Sequence, residues 1–463
     1  MEIKIGGEWL SQMNYKNALE KLMSLIDLER IEFSGPRQKA IYDLSRIQNF
    51  LNYIGNPHLD VPCIHVAGTK GKGSVSAICE SVLNESGFKT GFFSSPHIHS
   101  FTERIRINGE PISKLKFSEY FHCLWSHHET WTKEVSGARL TLFEYITALA
   151  FYIFEKESVD ISVIEVGLGG RLDATNVVIP EVSAITALGY DHMNILGSDI
   201  ESITKEKAGI IKPHVPVVVS HQSYDVIDII QSVCAANNSN LIDTDENFCY
   251  SLIRIENHRQ CIFVTSPSFS GELNTALLGA HQAQNVLTAL GVIQELKRKD
   301  WIISEEHIKQ GVYSVSWPCR MEIIESESQT VVLDGAHTYE SIQLVMESIQ
   351  ELFQYNKLGI LLGLSKDKEI DKICELLSRS TADLILLIKS RHPKAMDQKE
   401  ILEYFTENNN TVKNASSIFE AISTARKELG PEALILSIGS LFSSAEVREY
   451  LLGIDPELYQ AIV

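Results

Sequence analysis

Gly68-Thr69-Lys70-Gly71-Lys72-Gly73-Ser74 puts glycines, lysines and hydroxyls into one short run. Glycines let backbone N–H groups turn inward, and a following helix N-terminus adds partial positive charge, so such a loop cradles phosphates. Lys72 would reach the terminal phosphates, and Ser74 would offer a hydroxyl to phosphate or metal. The strict G-x-x-x-x-G-K-[ST] pattern fails, because position 66 is Val and Gly73 separates Lys72 from Ser74. The reading therefore rests on a strand before the loop and a helix after it.

Glu165 closes an apolar run and is followed by Gly167, Gly169 and Gly170, then Arg171 and Asp173. A carboxylate there is costly to bury unless it holds a cation, and the glycines permit close approach of one. The competing reading is a strand-end carboxylate that reaches solvent. Asp191-His192 ends the next apolar run; a lone histidine is more often structural, but its place beside Glu165 favours a metal ligand. Ser94-Ser95-Pro96-His97 supplies a hydroxyl in another loop after a strand. Asp334-Gly335-Ala336-His337 repeats the strand-end arrangement late in the chain, though Asp and Gly also serve plain turns. His122, His127 and His128 have no matching carboxylate and read as a surface helix.

The elements that must carry these loops alternate. Val61–Ala67, Thr90–Phe93, Asp160–Val166, Val182–Ala187 and Val215–Ser220 read as buried strands, with helices over Val75–Leu83 and Thr141–Glu155. Such alternation predicts an α/β fold with a mostly parallel sheet, its chemistry at the carboxyl ends of the strands. Tyr224 to Gly271 is more polar and reads as small antiparallel strands. A helix over Ala280–Lys297 and a linker Ser314–Pro318 follow. Strands at Thr330–Leu333, Leu358–Leu362, Leu384–Ile388 and Ala433–Ile438 then predict a smaller Rossmann-like C-terminal domain, giving domains of residues 1–316 and 317–463. Pro36 and Asn56-Pro57 punctuate a helical opening.

The chain has 463 residues and 44% hydrophobic content, enough for two cores. Lys+Arg 41 against Asp+Glu 60 gives a net charge of −19, which disfavours nucleic acid and anionic membranes as partners. The longest apolar stretch, Ile146 to Phe154, is too short for a membrane helix. No signal-peptide layout opens the chain, and the eight cysteines are scattered without a Cys-x-x-Cys pair. A reducing cytoplasm fits, with the thiols as small buried hydrophobes, and a monomer is expected.

In order along the chain, these motifs resemble the folylpolyglutamate synthase/dihydrofolate synthase family of the Mur ligase superfamily. The resemblance runs through His65–Ser74, Ser94–His97, Glu103–Gly109, Glu165–Asn176, Asp191-His192, Glu206–Lys212, Gly279–Gln282 with Asn285, Pro318-Cys319-Arg320 and Asp334–His337. It implies a P-loop-containing Mur-ligase-like domain and an ADP-forming ligase that joins L-glutamate to a folate through an acyl phosphate. ATP would be held by Gly68, Thr69, Gly71, Lys72, Gly73, Ser74, Asn285, Arg320 and Asp334. Mg2+, at two sites, would involve Ser95, Glu165 and His192, with Lys72, His192 and a carbamylated Lys207 in catalytic roles. Glutamate is expected at His337.

Thr141-Leu142-Phe143-Glu144 resembles the pterin-proximal segment of bacterial enzymes that also use dihydropteroate; with Leu172, Asp173 and Ala174 it would bind the folate or pteroate. Thr141 and Glu144 also spell a helix capping box, and both readings can hold. A bifunctional enzyme is expected, with a monofunctional folylpolyglutamate synthase as the alternative and a Mur-type ligase for another carboxylate behind it. Mur ligases for UDP-linked substrates carry a separate domain before the P-loop, and here the loop already starts at Gly68. An ATP-binding module without chemistry would not need the metal set. Lys70, Cys319 and Thr338 depart from the residues usual in the family. Lys70 also occurs in eukaryotic members, whereas Cys319 and Thr338 bear on the glutamate contacts.

Overall fold

The computed structural model describes residues 14–25, 43–190, 193–267, 269–326, 329–366, 368–405 and 411–457. Strands β1 (Cys63–Ala67), β2 (Thr90–Phe93), β3 (Ile105–Ile107), β4 (Glu110–Pro111), β5 (Ile161–Glu165), β6 (Val182–Ile185), β7 (Val217–Val219) and β8 (Leu241–Asp243) form one sheet in the order β4-β3-β2-β5-β1-β6-β7-β8. From β2 to β8 every pairing is parallel, and only the β2–β3–β4 edge is antiparallel.

The pleat sorts side chains between two faces. Ile64, Val66, Val163 and Val182 turn to the helices Lys72–Glu85 and Ala280–Arg298, while Cys63, Phe93 and Ile164 turn to the helices Lys114–Glu134 and Leu142–Lys156. Each wholly buried aliphatic or aromatic side chain contributes about 1.5–3 kcal/mol, so the two faces hold the sheet rigid beneath its loops.

Strands β9 (Cys249–Glu256), β10 (Arg259–Thr265) and β11 (Ser270–Thr275) form a small antiparallel sheet. The expected run of antiparallel strands over Tyr224–Gly271 thus begins too early. Tyr224–Ala236 is a helix that buries Val226, Ile230 and Cys234 at four-residue spacing, and β8 after it joins the parallel sheet.

The last sheet, in the order β12-β13-β17-β14-β15-β16, comprises β12 (Glu322–Ser326), β13 (Gln329–Leu333), β14 (Leu358–Leu362), β15 (Leu384–Leu387), β16 (Thr411–Asn414) and β17 (Leu434–Ile438). It is parallel apart from β12 and is covered on both faces, with Val332, Ile360 and Leu436 on one side and Val331, Leu361 and Ile435 on the other. The edge strands β12 and β16, short and partly exposed, escaped the sequence reading because they lack a continuous apolar run.

Two smaller expectations change. His128 is not on a surface: its ring sits among Phe50, Trp125, Trp131 and Tyr145, and burial pushes it below the usual histidine range. Cys123 and Cys249 are exposed, and the other six cysteines are buried. Pro36 lies outside the described residues.

Candidate active site

Four neighbouring parallel strands, β2, β5, β1 and β6, end side by side, which brings their loops together. Val66 pairs with Glu165, Ala67 with Ile185 and Phe93 with Ile164. The loop after β1 is held by its own backbone: Thr69 and Lys70 N–H groups both donate to the Ala187 carbonyl at 3.0 Å. Gly71 has φ +87°, and a Cβ there would lie 2.3 Å from Asn285 Oδ1, so only glycine lets Asn285 approach. Gly71 caps the helix Lys72–Glu85 without any side-chain cap. Its first N–H groups face the loop, the arrangement that binds phosphate.

Lys72 Nζ donates to the Gly68 carbonyl at 3.2 Å, and the buried Lys207 donates to the same oxygen at 2.8 Å. Glu165 is buried at the end of β5, where burial raises its carboxyl to about 7; Lys72, the Ser95 N–H and Arg320 pull it back down. Among the described residues no cation forms an ion pair with it. A buried carboxylate with no salt-bridge partner among the described residues, beside a phosphate cradle, fits a bound cation. Magnesium at a nucleotide takes one or two carboxylates and completes its shell with phosphate and water, so Glu165 with Ser95 suits it. Asp191-His192 lies outside the described residues.

Across the cleft, Arg320 lies over Gly335, whose Cβ would come 2.5 Å from Nη1. Cys319 and Met321 on either side have φ +55° and +50°, a tight turn pinned by Asp334, whose Oδ2 accepts from Met321 N at 2.8 Å and Oδ1 from Ala336 N at 2.7 Å. Asp334 thus shapes the turn that presents Arg320. His337 donates from Nδ1 to the Gly335 carbonyl at 2.8 Å, just before the helix Tyr339–Leu352 that Thr338 caps.

The two segments expected to take the pterin meet at Gly167. The Phe143 ring lies on that glycine, where a Cβ would come within 2.4 Å, and Asp173 accepts from Leu168 N at 2.8 Å. Leu172 and Ala174 flank that aspartate. Thr141 and Glu144 form the capping box, and Glu144 also takes Arg46 Nε at 3.0 Å and Nη2 at 2.7 Å. Arg46 carried no sequence signal, since it comes from a distant helix, Leu44–Tyr53. Trp317, expected as linker, is packed: its indole meets Gly73, lies 5.5 Å from the Phe92 ring and takes the Arg106 guanidinium at 4.9 Å.

The Mur ligase middle domain matches residues 66–293, and the Mur ligase glutamate ligase domain matches residues 319–441. The dihydrofolate synthase/folylpolyglutamate synthase of Bacillus subtilis is 32% identical over 424 residues, covering 88% of this chain and 94% of that protein. The chain belongs to the folylpolyglutamate synthase/dihydrofolate synthase family. Solved members of this family of Mur-type ATP-dependent ligases superpose over the whole molecule. Mycobacterium tuberculosis folylpolyglutamate synthase complexed with ADP gives a TM-score of 0.83 at 26% identity, over 96% of this chain and 99% of that one. A folylpolyglutamate synthase complex with AMPPCP and folate gives 0.80 at 29% identity, over 95% and 100%. No helix among the described residues is long and apolar enough to cross a membrane.

Proposed function

We propose that this protein is a Mg2+-dependent ligase that spends ATP to add L-glutamate to folates, and that it also converts dihydropteroate to dihydrofolate. The observation that carries the reading is the uncapped helix N-terminus with Lys72 and Lys207 gathered on Gly68, facing Glu165 and Arg320. The folate and ATP-analogue complexes of relatives support it. We assign residues 1–316 to the ATP-binding domain and 317–463 to the domain that receives glutamate.

In this reading a folate carboxylate oxygen attacks the γ-phosphorus, ADP leaves, and an acyl phosphate results. The glutamate amine then attacks the acyl carbon, phosphate leaves, and the amine gives up its proton. Lys72 and the amides of the Gly68–Ser74 loop hold the transferring phosphate, Asn285 and Arg320 seat the nucleotide, and Asp334 keeps the Arg320 turn in shape. Ser95, Glu165 and His192 would hold magnesium, which would supply charge neutralisation at the phosphates. A carbamate on Lys207 would keep one N–H for Gly68 while adding a carboxylate toward a second metal. Phe143 and the Leu172–Ala174 turn line the pterin end, and His337 lies on the glutamate side.

The test is ADP release with Mg-ATP and L-glutamate, run in parallel with tetrahydrofolate and with dihydropteroate. Turnover with both supports the dual activity; turnover with tetrahydrofolate alone leaves Thr141–Glu144 as a helix cap. No turnover with either, in protein that binds AMPPCP, removes folate as the substrate.

A further inference from the structure

The loop that carries Ser95 docks on the opposite domain. Ile98 packs against the apolar cluster of Ala445 and Val447, and His99 follows with a side chain only 10% exposed. Its Nδ1 lies 3.2 Å from Glu449 Oε1 and its Nε2 3.0 Å from Arg448 Nη1, both on the helix Leu441–Leu452. A guanidinium only donates and a carboxylate only accepts. One neutral tautomer therefore serves both: Nε2 accepts from Arg448 while Nδ1–H donates to Glu449.

Each end of this contact is tied to the nucleotide site. On one side, Glu103 accepts from the backbone N–H groups of Ile98, His99 and Ser100 at 2.9, 2.9 and 2.8 Å, fixing the loop that begins at Ser95. On the other, Arg448 Nε donates to both Glu322 oxygens at 2.9 and 3.0 Å, and Glu322 accepts from Cys319 N at 2.9 Å. A polar path thus runs from His99, on the loop that follows Ser95, through Arg448 and Glu322 to the turn that presents Arg320. Glu165 in turn feels both the Ser95 N–H and the Arg320 charge. An apolar contact would join the domains without fixing their register, whereas a fully partnered polar network admits one arrangement.

We propose that His99 is a positioning residue that sets the register of the C-terminal domain on the Ser95 loop, so that Arg320 stands over Glu165 before the nucleotide arrives. What is aligned rests on the ligase reading; the clasp itself does not.

The test compares His99→Phe, Arg448→Met and the double variant in the full chain. AMPPCP affinity is measured by calorimetry and domain arrangement by small-angle X-ray scattering. Losing one such buried hydrogen-bonded contact should lower AMPPCP affinity about tenfold in each single variant. The double variant should lose no more than the weaker single, because both break one path. Scattering should show a more extended particle, with the far-UV circular dichroism spectrum unchanged. Wild-type affinity and dimensions in His99→Phe, or losses that add in the double variant, overturn the proposal. If His99→Phe does not fold, His99→Gln, whose amide can donate and accept, should keep AMPPCP affinity within about threefold, and Arg448→Met then carries the decision. If the wild-type chain binds no AMPPCP, the ligase reading fails, and the scattering comparison alone decides the clasp.

Discussion

Lys72 and Lys207 donate to one oxygen, the Gly68 carbonyl, at 3.2 and 2.8 Å. Two ammonium groups brought to one acceptor repel each other, and a nearby anion relieves that repulsion. In the proposed function Lys72 holds the phosphate and Lys207 carries the carbamate, so the two lysines have separable tests.

Lys207→Ala should cost about a hundredfold or more in kcat, in the range of removing one electrostatic group from a reacting centre. AMPPCP should still bind, because Lys72 and the loop amides remain. Lys207→Arg should be equally slow, since a guanidinium does not form a carbamate under these conditions. Initial rates of ADP release beside AMPPCP calorimetry check this. Near-wild-type turnover of either variant removes the carbamate assignment.

Gly71→Ala should weaken AMPPCP binding by about tenfold or more. Its Cβ would press on Asn285 Oδ1 and its φ of +87° disfavours any side chain, a cost of about 1–2 kcal/mol from the backbone alone. Affinity should fall while the melting temperature drops only a few degrees. A variant with unchanged affinity would mean that Asn285 does not bear on the nucleotide.

At Cys319, φ +55° and complete burial pull in opposite directions. Cys319→Gly relieves the backbone by about 1 kcal/mol and gives up a similar amount of packing, so stability should barely move. Cys319→Val adds a β-branched side chain to a left-handed backbone and should lower the melting temperature clearly. Thermal melts of the two variants side by side check the contrast.

Glu157 gives the acid dependence. Burial alone raises its carboxyl, but hydrogen bonds from Lys116, Tyr120 and Lys89 outweigh that and hold it down at about 2. A folded-state value below the unfolded one stabilises the protein above pH ~4.5 and loses that contribution as pH falls toward 2. The melting temperature of Glu157→Gln should therefore lie below wild type at neutral pH, with the gap closing in acid. A gap that is constant down to pH 3 contradicts the assignment.

Much of this architecture was legible because parallel strands buried on both faces read as unbroken apolar runs, as Leu358–Leu362 and Leu434–Ile438 do. The glycine-rich loop was legible for a related reason: its conformation needs glycine at given steps whatever lies around it. What the sequence withheld depends on contact across the chain. Arg46 reaches Glu144 over 98 positions and Arg448 reaches His99 over 349, and neither partner has a local pattern. Trp317 read as linker because Pro318 follows it, although its ring is packed against the phosphate loop. The helix Tyr224–Ala236 was missed although its four-residue spacing was present, because Ile227, Ile229 and Val233 add apolar side chains off that spacing.

Trp317 also fixes where the molecule can bend. With its indole wedged between Gly73, Phe92 and Arg106, it moves with the first domain, and the first peptide able to turn is at Pro318-Cys319. That peptide lies beside the glycine-rich loop, so a rotation there would carry Arg320 a short way and the distant rim of the six-stranded sheet a long way.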